Sequence, residues 1–84
     1  MLRCRDGSLY TGSAKNVEAR LRKHEQGRAS RYTRARLPVT LVWWRRVRTW
    51  SKALREEYRI KQLRRAEKEA LVLAHATIAR SEDR

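Results

Sequence analysis

Leu9-Tyr10-Thr11-Gly12, followed by Asn16-Val17-Glu18-Ala19-Arg20-Leu21-Arg22-Lys23-His24, constrains this chain more than any other stretch. The first part reads as a short strand that ends on a tyrosine and turns at a glycine. The second reads as a helix, with Asn16 as its N-cap. Arg20 and His24 are four residues apart and therefore lie on one helical face. With the strand end beside the helix start, Tyr10, Arg20 and His24 converge on one small cleft. The rest of the chain is read by what it adds to that cleft.

Before it, Leu2 to Arg5 and Ser8 to Thr11 flank Asp6-Gly7. That dipeptide suits a two-residue hairpin turn in which both central residues take positive φ. The first strand is short and starts at the first residue. In the helix, Val17, Leu21 and the stem of His24 form the inner stripe, and Gly27 is the expected stop. Arg28 to Leu37 is short and polar, holds at most one helical turn and ends at Pro38. Its Arg28, Arg31, Arg34 and Arg36 make it the candidate phosphate-contacting lobe. Val39 to Val47 is dominated by β-branched and aromatic residues and reads as a strand. Its inner half is apolar on both faces, which predicts cover on both sides.

Ser51 is the expected N-cap of a helix from Lys52 to about Leu63, in which Ala53, Leu54, Glu57, Ile60, Lys61 and Leu63 recur near helical spacing. Glu57 falls on or beside the inward stripe, where an unpaired carboxylate is expensive. A last helix, about Ala66 to Arg80, places Ala70, Leu71, Ala74 and Ile78 on one stripe, and residues 81–84 are expected to fray. The pattern predicts a single domain over residues 1–80, without repeats or linkers.

Charge narrows the partner. Twenty-two basic side chains face nine acidic ones, a net +13 spread along 84 residues. A surface that self-repels this strongly calls for an anionic partner. Nucleic acid is the leading one; a membrane surface and ribosomal association are the other readings. Cys4 is the sole cysteine, so no internal disulfide and no four-cysteine zinc site can form. A reducing cytoplasm is the expected compartment. No apolar run approaches the roughly 18 residues of a membrane span, and no secretory signal is expected at the start.

Hydrolysis of a phosphodiester needs a cation for the phosphate, a carboxylate for a divalent metal and a group that takes a proton from water. Arg20 and Glu57 supply the first two; Tyr10, His24 or Lys61 serve the third or position it. Each also has an ordinary structural reading. Tyr10 suits a core aromatic, and His24 suits the negative end of a helix. Glu57 can pair with Arg20, Lys61 or Arg64. Trp43, Trp44 and Trp50 suit packing as well as base stacking. Composition and spacing alone support a small basic α/β nucleic-acid binder.

The order Asp6-Gly7-Ser8-Leu9-Tyr10-Thr11-Gly12, Asn16 through His24, Tyr32-Thr33-Arg34, Pro38 through Val42 and Ala53 through Lys61 resembles the GIY-YIG nuclease superfamily. The likeness is to its small stand-alone bacterial branch and covers residues 2 to about 72. Tyr10-Thr11-Gly12 stands where the family's Tyr-Ile-Gly belongs. The resemblance implies an α/β fold of the α+β type: a three-stranded antiparallel sheet flanked by helices, with a cleft that binds DNA. It implies magnesium, or another divalent ion such as manganese, held by Glu57, and no small-molecule cofactor. It implies that Arg20 contacts the scissile phosphate, that Tyr10 lines the water's approach, and that His24 and Lys61 support catalysis. The family's first tyrosine would align immediately before Met1. The expectation is therefore a first strand that is clipped here, or a chain that lacks half its motif. A metal-dependent DNA endonuclease is one reading; a non-catalytic nucleic-acid-binding module with the same fold is the other, with RNA as an alternative partner. The Trp-rich strand leaves the oligomeric state open.

Overall fold

The computed structural model describes residues 1–82, with side chains through residue 76. Leu2–Arg3 form β1 and Leu9–Tyr10 form β2, antiparallel, with Leu2 opposite Tyr10 and Arg3 opposite Leu9. Their connection differs from the expected two-residue turn. Among the described residues only glycines have positive φ, and here Gly7 takes it alone, at 86°. The Gly7 N–H donates to the Cys4 carbonyl at 2.9 Å, and the Cys4 N–H donates to the Ser8 carbonyl at 2.9 Å. This is a three-residue hairpin closed by a left-handed glycine. Asp6 stays out of the left-handed region because its carboxylate accepts from the Ser8 N–H (3.0 Å) and hydroxyl (2.6 Å), a local turn open to aspartate.

β3, Thr40–Leu41, pairs antiparallel with β1 on its other edge, which gives the order β2-β1-β3. The expected strand to Val47 is cut short. Pairing ends where the Val42 N–H donates to the Met1 carbonyl at 3.1 Å; beyond it, residues 43–48 line a cleft. Leu2, Cys4 and Val39 are the buried centre, with Tyr10, Leu21, Leu37 and Leu41 packed around them.

Helix α1 spans Val17–Glu25. Asn16 caps it, its Oδ1 accepting from the Ala19 N–H at 3.0 Å. Gly27 ends it at φ 74°. The Gly27 N–H donates to the His24 carbonyl and the Arg28 N–H to the Lys23 carbonyl, the paired bonds of a Schellman motif. Leu21 and His24 face inward as expected, but Val17 is exposed: it borders the open cleft and not the core. α2 is the single turn Arg31–Arg34, capped by the Ser30 hydroxyl.

α3 runs Trp50–Lys61. Its cap is Thr49, whose hydroxyl accepts from the Lys52 N–H at 3.1 Å, and the expected cap, Ser51, is already inside the first turn. Ile60 is fully buried and Glu56 and Glu57 are half-buried, whereas Leu54 is exposed. α4 runs Arg65–Glu82, so it includes Ser81 and Glu82; the rest of the expected frayed tail, residues 83–84, lies outside the described residues. Arg64 lacks a capping side chain, but its backbone N–H donates to Glu67 Oε1 at 3.1 Å, half of a capping box. The inward stripe of α4 also differs. Lys68, Glu69, Leu71, Val72 and His75 are half-buried while Ala70 and Ala74 are exposed; the side chain of Ile78 lies outside those described. The bidentate Arg3–Glu69 pair and the edge-on contact of Trp44 with His75 at 4.2 Å set the rotation of α4. Among the described residues no helix is long and apolar enough to cross a membrane.

Candidate active site

The end of β2, the first two turns of α1, residues 43–48 and the inner face of α3 enclose a cleft of about 1180 Å³. Tyr10, Arg20, His24 and Glu57 all line it. They come from three elements: the β2 terminus, α1 one turn apart, and the middle of α3. Lys61 does not line the cleft, but its Nζ donates to Glu57 Oε2 at 2.8 Å. Of the three cations that could have paired with Glu57, the fold selects the one a turn away on the same helix.

His24 is the most confined of these groups, buried apart from 4% of its surface. Its ring lies 5.2 Å from that of Tyr10 at a tilt of 60°, and its Nδ1 is 2.9 Å from the Thr33 hydroxyl. Burial holds its pKa below the ordinary 6.5, and the Arg20 charge adds to the effect. Both act against the imidazolium. Tyr10 is in turn stacked on Tyr32, centroids 6.0 Å apart. Arg20 is exposed, and its guanidinium has no carboxylate partner among the described residues.

Burial opposes ionisation of Glu57. The hydrogen bond from Lys61, the neighbouring Ser13 hydroxyl and N–H, and the Lys61 charge outweigh it, so the carboxyl sits below its usual 4.5. The Lys61 pKa is raised, first by that hydrogen bond. Glu56 also lines the cleft, but Arg59 (2.6 and 3.1 Å) and Arg45 (3.2 Å) hold its carboxylate. Among the described residues no cluster of three or more His, Cys, Asp or Glu could hold a metal. Of the other cleft carboxylates, Glu18 is exposed on the first turn of α1, so Glu57 is the half-buried one not shared with arginines among the described residues. One ionised carboxylate completed by water and substrate phosphate suits Mg²⁺, so the residues fit such an ion.

The basic lobe divides in two. Arg28, Arg31 and Arg34 are exposed. Arg36 is already engaged: it donates to Asp6 (3.0 Å) and to the Tyr32 carbonyl (3.0 Å), and its guanidinium lies 3.8 Å from the Tyr32 ring centre. Sequence reasoning did not assign Thr33, Glu56, Ser13 or Tyr32. The run Tyr32-Thr33-Arg34 is visible as a motif, but nothing in it says that the threonine, fully buried, meets the histidine nine residues earlier.

The result is a basic α+β domain in which an arginine, a tyrosine and a carboxylate from separate elements line one cleft. The GIY-YIG catalytic domain family matches residues 1–70, and the chain belongs to that family. Its nucleases generally depend on a metal and act on nucleic acid. The chain is 50% identical over 72 residues to a UPF0213 protein of Oceanobacillus iheyensis, covering 86% of this chain and 84% of the relative. It is 47% identical over 72 residues to UPF0213 proteins of Staphylococcus aureus, covering 86% and 88%. No solved structure matches it significantly.

Proposed function

We propose that this chain is a divalent-metal-dependent DNA endonuclease. One observation carries the reading: Arg20, a cation without an acidic partner among the described residues, and Glu57, an ionised carboxylate, line the same cleft as Tyr10 and His24. Water adds to the phosphorus and its proton passes to a side chain of the cleft, while one P–O ester bond breaks and the leaving sugar oxygen departs with the bonding pair and takes up a proton from solvent. Arg20 neutralises the phosphate as charge gathers on its oxygens. Glu57 would hold Mg²⁺ or Mn²⁺, and such an ion, when bound, polarises a phosphoryl oxygen. Tyr10 and His24 handle or position the proton, and Lys61 orients the Glu57 carboxylate through its 2.8 Å hydrogen bond. Arg28, Arg31 and Arg34 extend the phosphate track, with DNA as the preferred polymer.

The test is nicking of supercoiled and branched DNA by the purified chain, with and without Mg²⁺ or Mn²⁺. Glu57→Gln and Arg20→Ala should each lower the rate on the order of 10²–10³-fold while binding to DNA survives. Salt-sensitive binding with no cleavage under either metal would leave a binding module instead. Cleavage of RNA in preference to DNA would overturn the choice of polymer.

A further inference from the structure

Thr33 is the one residue of α2 with no exposed surface, and its hydroxyl sits between two partners. It donates to the Ser30 carbonyl at 3.2 Å, the back-bond that threonine commonly makes within a helical turn. On its other side lies His24 Nδ1, at 2.9 Å. A hydroxyl has one hydrogen and two lone pairs. With the hydrogen committed to Ser30, Oγ1 can only accept from the ring, so Nδ1 carries the proton.

We propose that Thr33 is a positioning residue, which fixes His24 as the Nδ1–H tautomer and so presents the Nε2 lone pair as an acceptor on the cleft side of the ring. The partner of one ring nitrogen decides what the other can do. An Nε2–H tautomer could only donate there, and a freely turning ring would do neither reliably. The surroundings support the neutral form. Tyr10 packs from β2 at 5.2 Å, Thr33 contacts from α2, and Arg20 on α1 repels a ring proton. No carboxylate pairs with His24 among the described residues. Gly27 and the paired bonds that end α1 bring α2 back against His24, so the contact follows from the turn between the two helices.

The inference rests on the nuclease reading only for what the lone pair does; the tautomer itself is a structural claim. Two-bond ¹⁵N–¹H correlation spectra of the full chain at neutral pH read it directly. The expected result is an His24 pattern with Nδ1 protonated and Nε2 bare, kept in Thr33→Ser, which retains the hydroxyl. In Thr33→Val the pattern should shift to a tautomer mixture. In the nicking assay Thr33→Val should lose ~10–100-fold in rate, the scale known for partners that orient metal-ligating histidines. Its DNA affinity should be unchanged, and Thr33→Ser should keep most of the rate. A wild-type spectrum with the proton on Nε2 overturns the proposal, whatever the variants do. So does a folded Thr33→Val with wild-type spectrum and rate. Absence of cutting, with the expected spectrum, would count against the nuclease reading and leave the tautomer standing.

Discussion

Lys61 Nζ donates to Glu57 Oε2 at 2.8 Å across one turn of α3. The pair keeps ionised a carboxylate that burial alone would push toward its protonated form. Lys61→Met removes both the hydrogen bond and the charge, so the Glu57 pKa should rise, and the acid limb of the nicking rate should move to higher pH. Glu57→Gln should remove that limb together with the activity. pH–rate profiles of the three proteins check both outcomes; an unmoved acid limb in Lys61→Met would break the link.

The depressed pKa of His24 has a stability consequence of definite sign. The folded chain binds that proton less readily than the unfolded chain does, because burial and Arg20 oppose the imidazolium. Below the folded pKa the folded state carries the full penalty. Stability then rises with pH across the window between that value and 6.5, and the penalty is gone above it. Urea denaturation at a series of pH values should show this rise, and His24→Gln should flatten it.

Two backbone devices hold α1 in register with the cleft. Asn16→Ala loses the cap on the Ala19 N–H and should cost about 1 kcal/mol. Gly27→Ala puts a Cβ where φ is 74° and within 3.3 Å of Arg34 Cγ; it should cost about 1–2 kcal/mol. The second should also loosen the His24–Thr33 contact, so its nicking rate should fall further than that of Asn16→Ala at matched stability. Equilibrium unfolding and nicking rates on the same preparations test the distinction.

The arginines of the basic lobe should separate by experiment. Arg31→Ala and Arg34→Ala remove exposed charges and should each reduce the salt dependence of DNA binding by ~0.9 in log–log slope, with thermal stability unchanged. Arg36→Ala instead breaks the Asp6 pair, the bond to the Tyr32 carbonyl and the contact with the Tyr32 ring. It should lower the melting temperature, and it should change the salt slope less than the other two do.

What the residues alone determined is local or additive. Asn16 caps α1 and Gly27 ends it, because both act through hydrogen bonds to backbone groups a few positions away. Arg20 and His24 share a face because helical geometry leaves no choice, and a net +13 is a sum that folding does not change. The three-stranded sheet and the meeting of Tyr10, Arg20, His24 and Glu57 in one cleft were legible through the order of the motifs.

Tertiary structure decided every choice among near-equal partners. Lys61, and not Arg20 or Arg64, took Glu57. Thr49 displaced Ser51 as a cap, and the strand after Pro38 paired only as far as β1 reaches. α4 turned its Glu69 and His75 inward to meet Arg3 and Trp44. Thr33 met His24, and Arg36 left the basic lobe for Asp6 and Tyr32. The Lys61 pair and the Thr49 cap are local choices that spacing permits without selecting; the contacts between elements depend on which surfaces arrive beside one another, and no spacing along the chain encodes that.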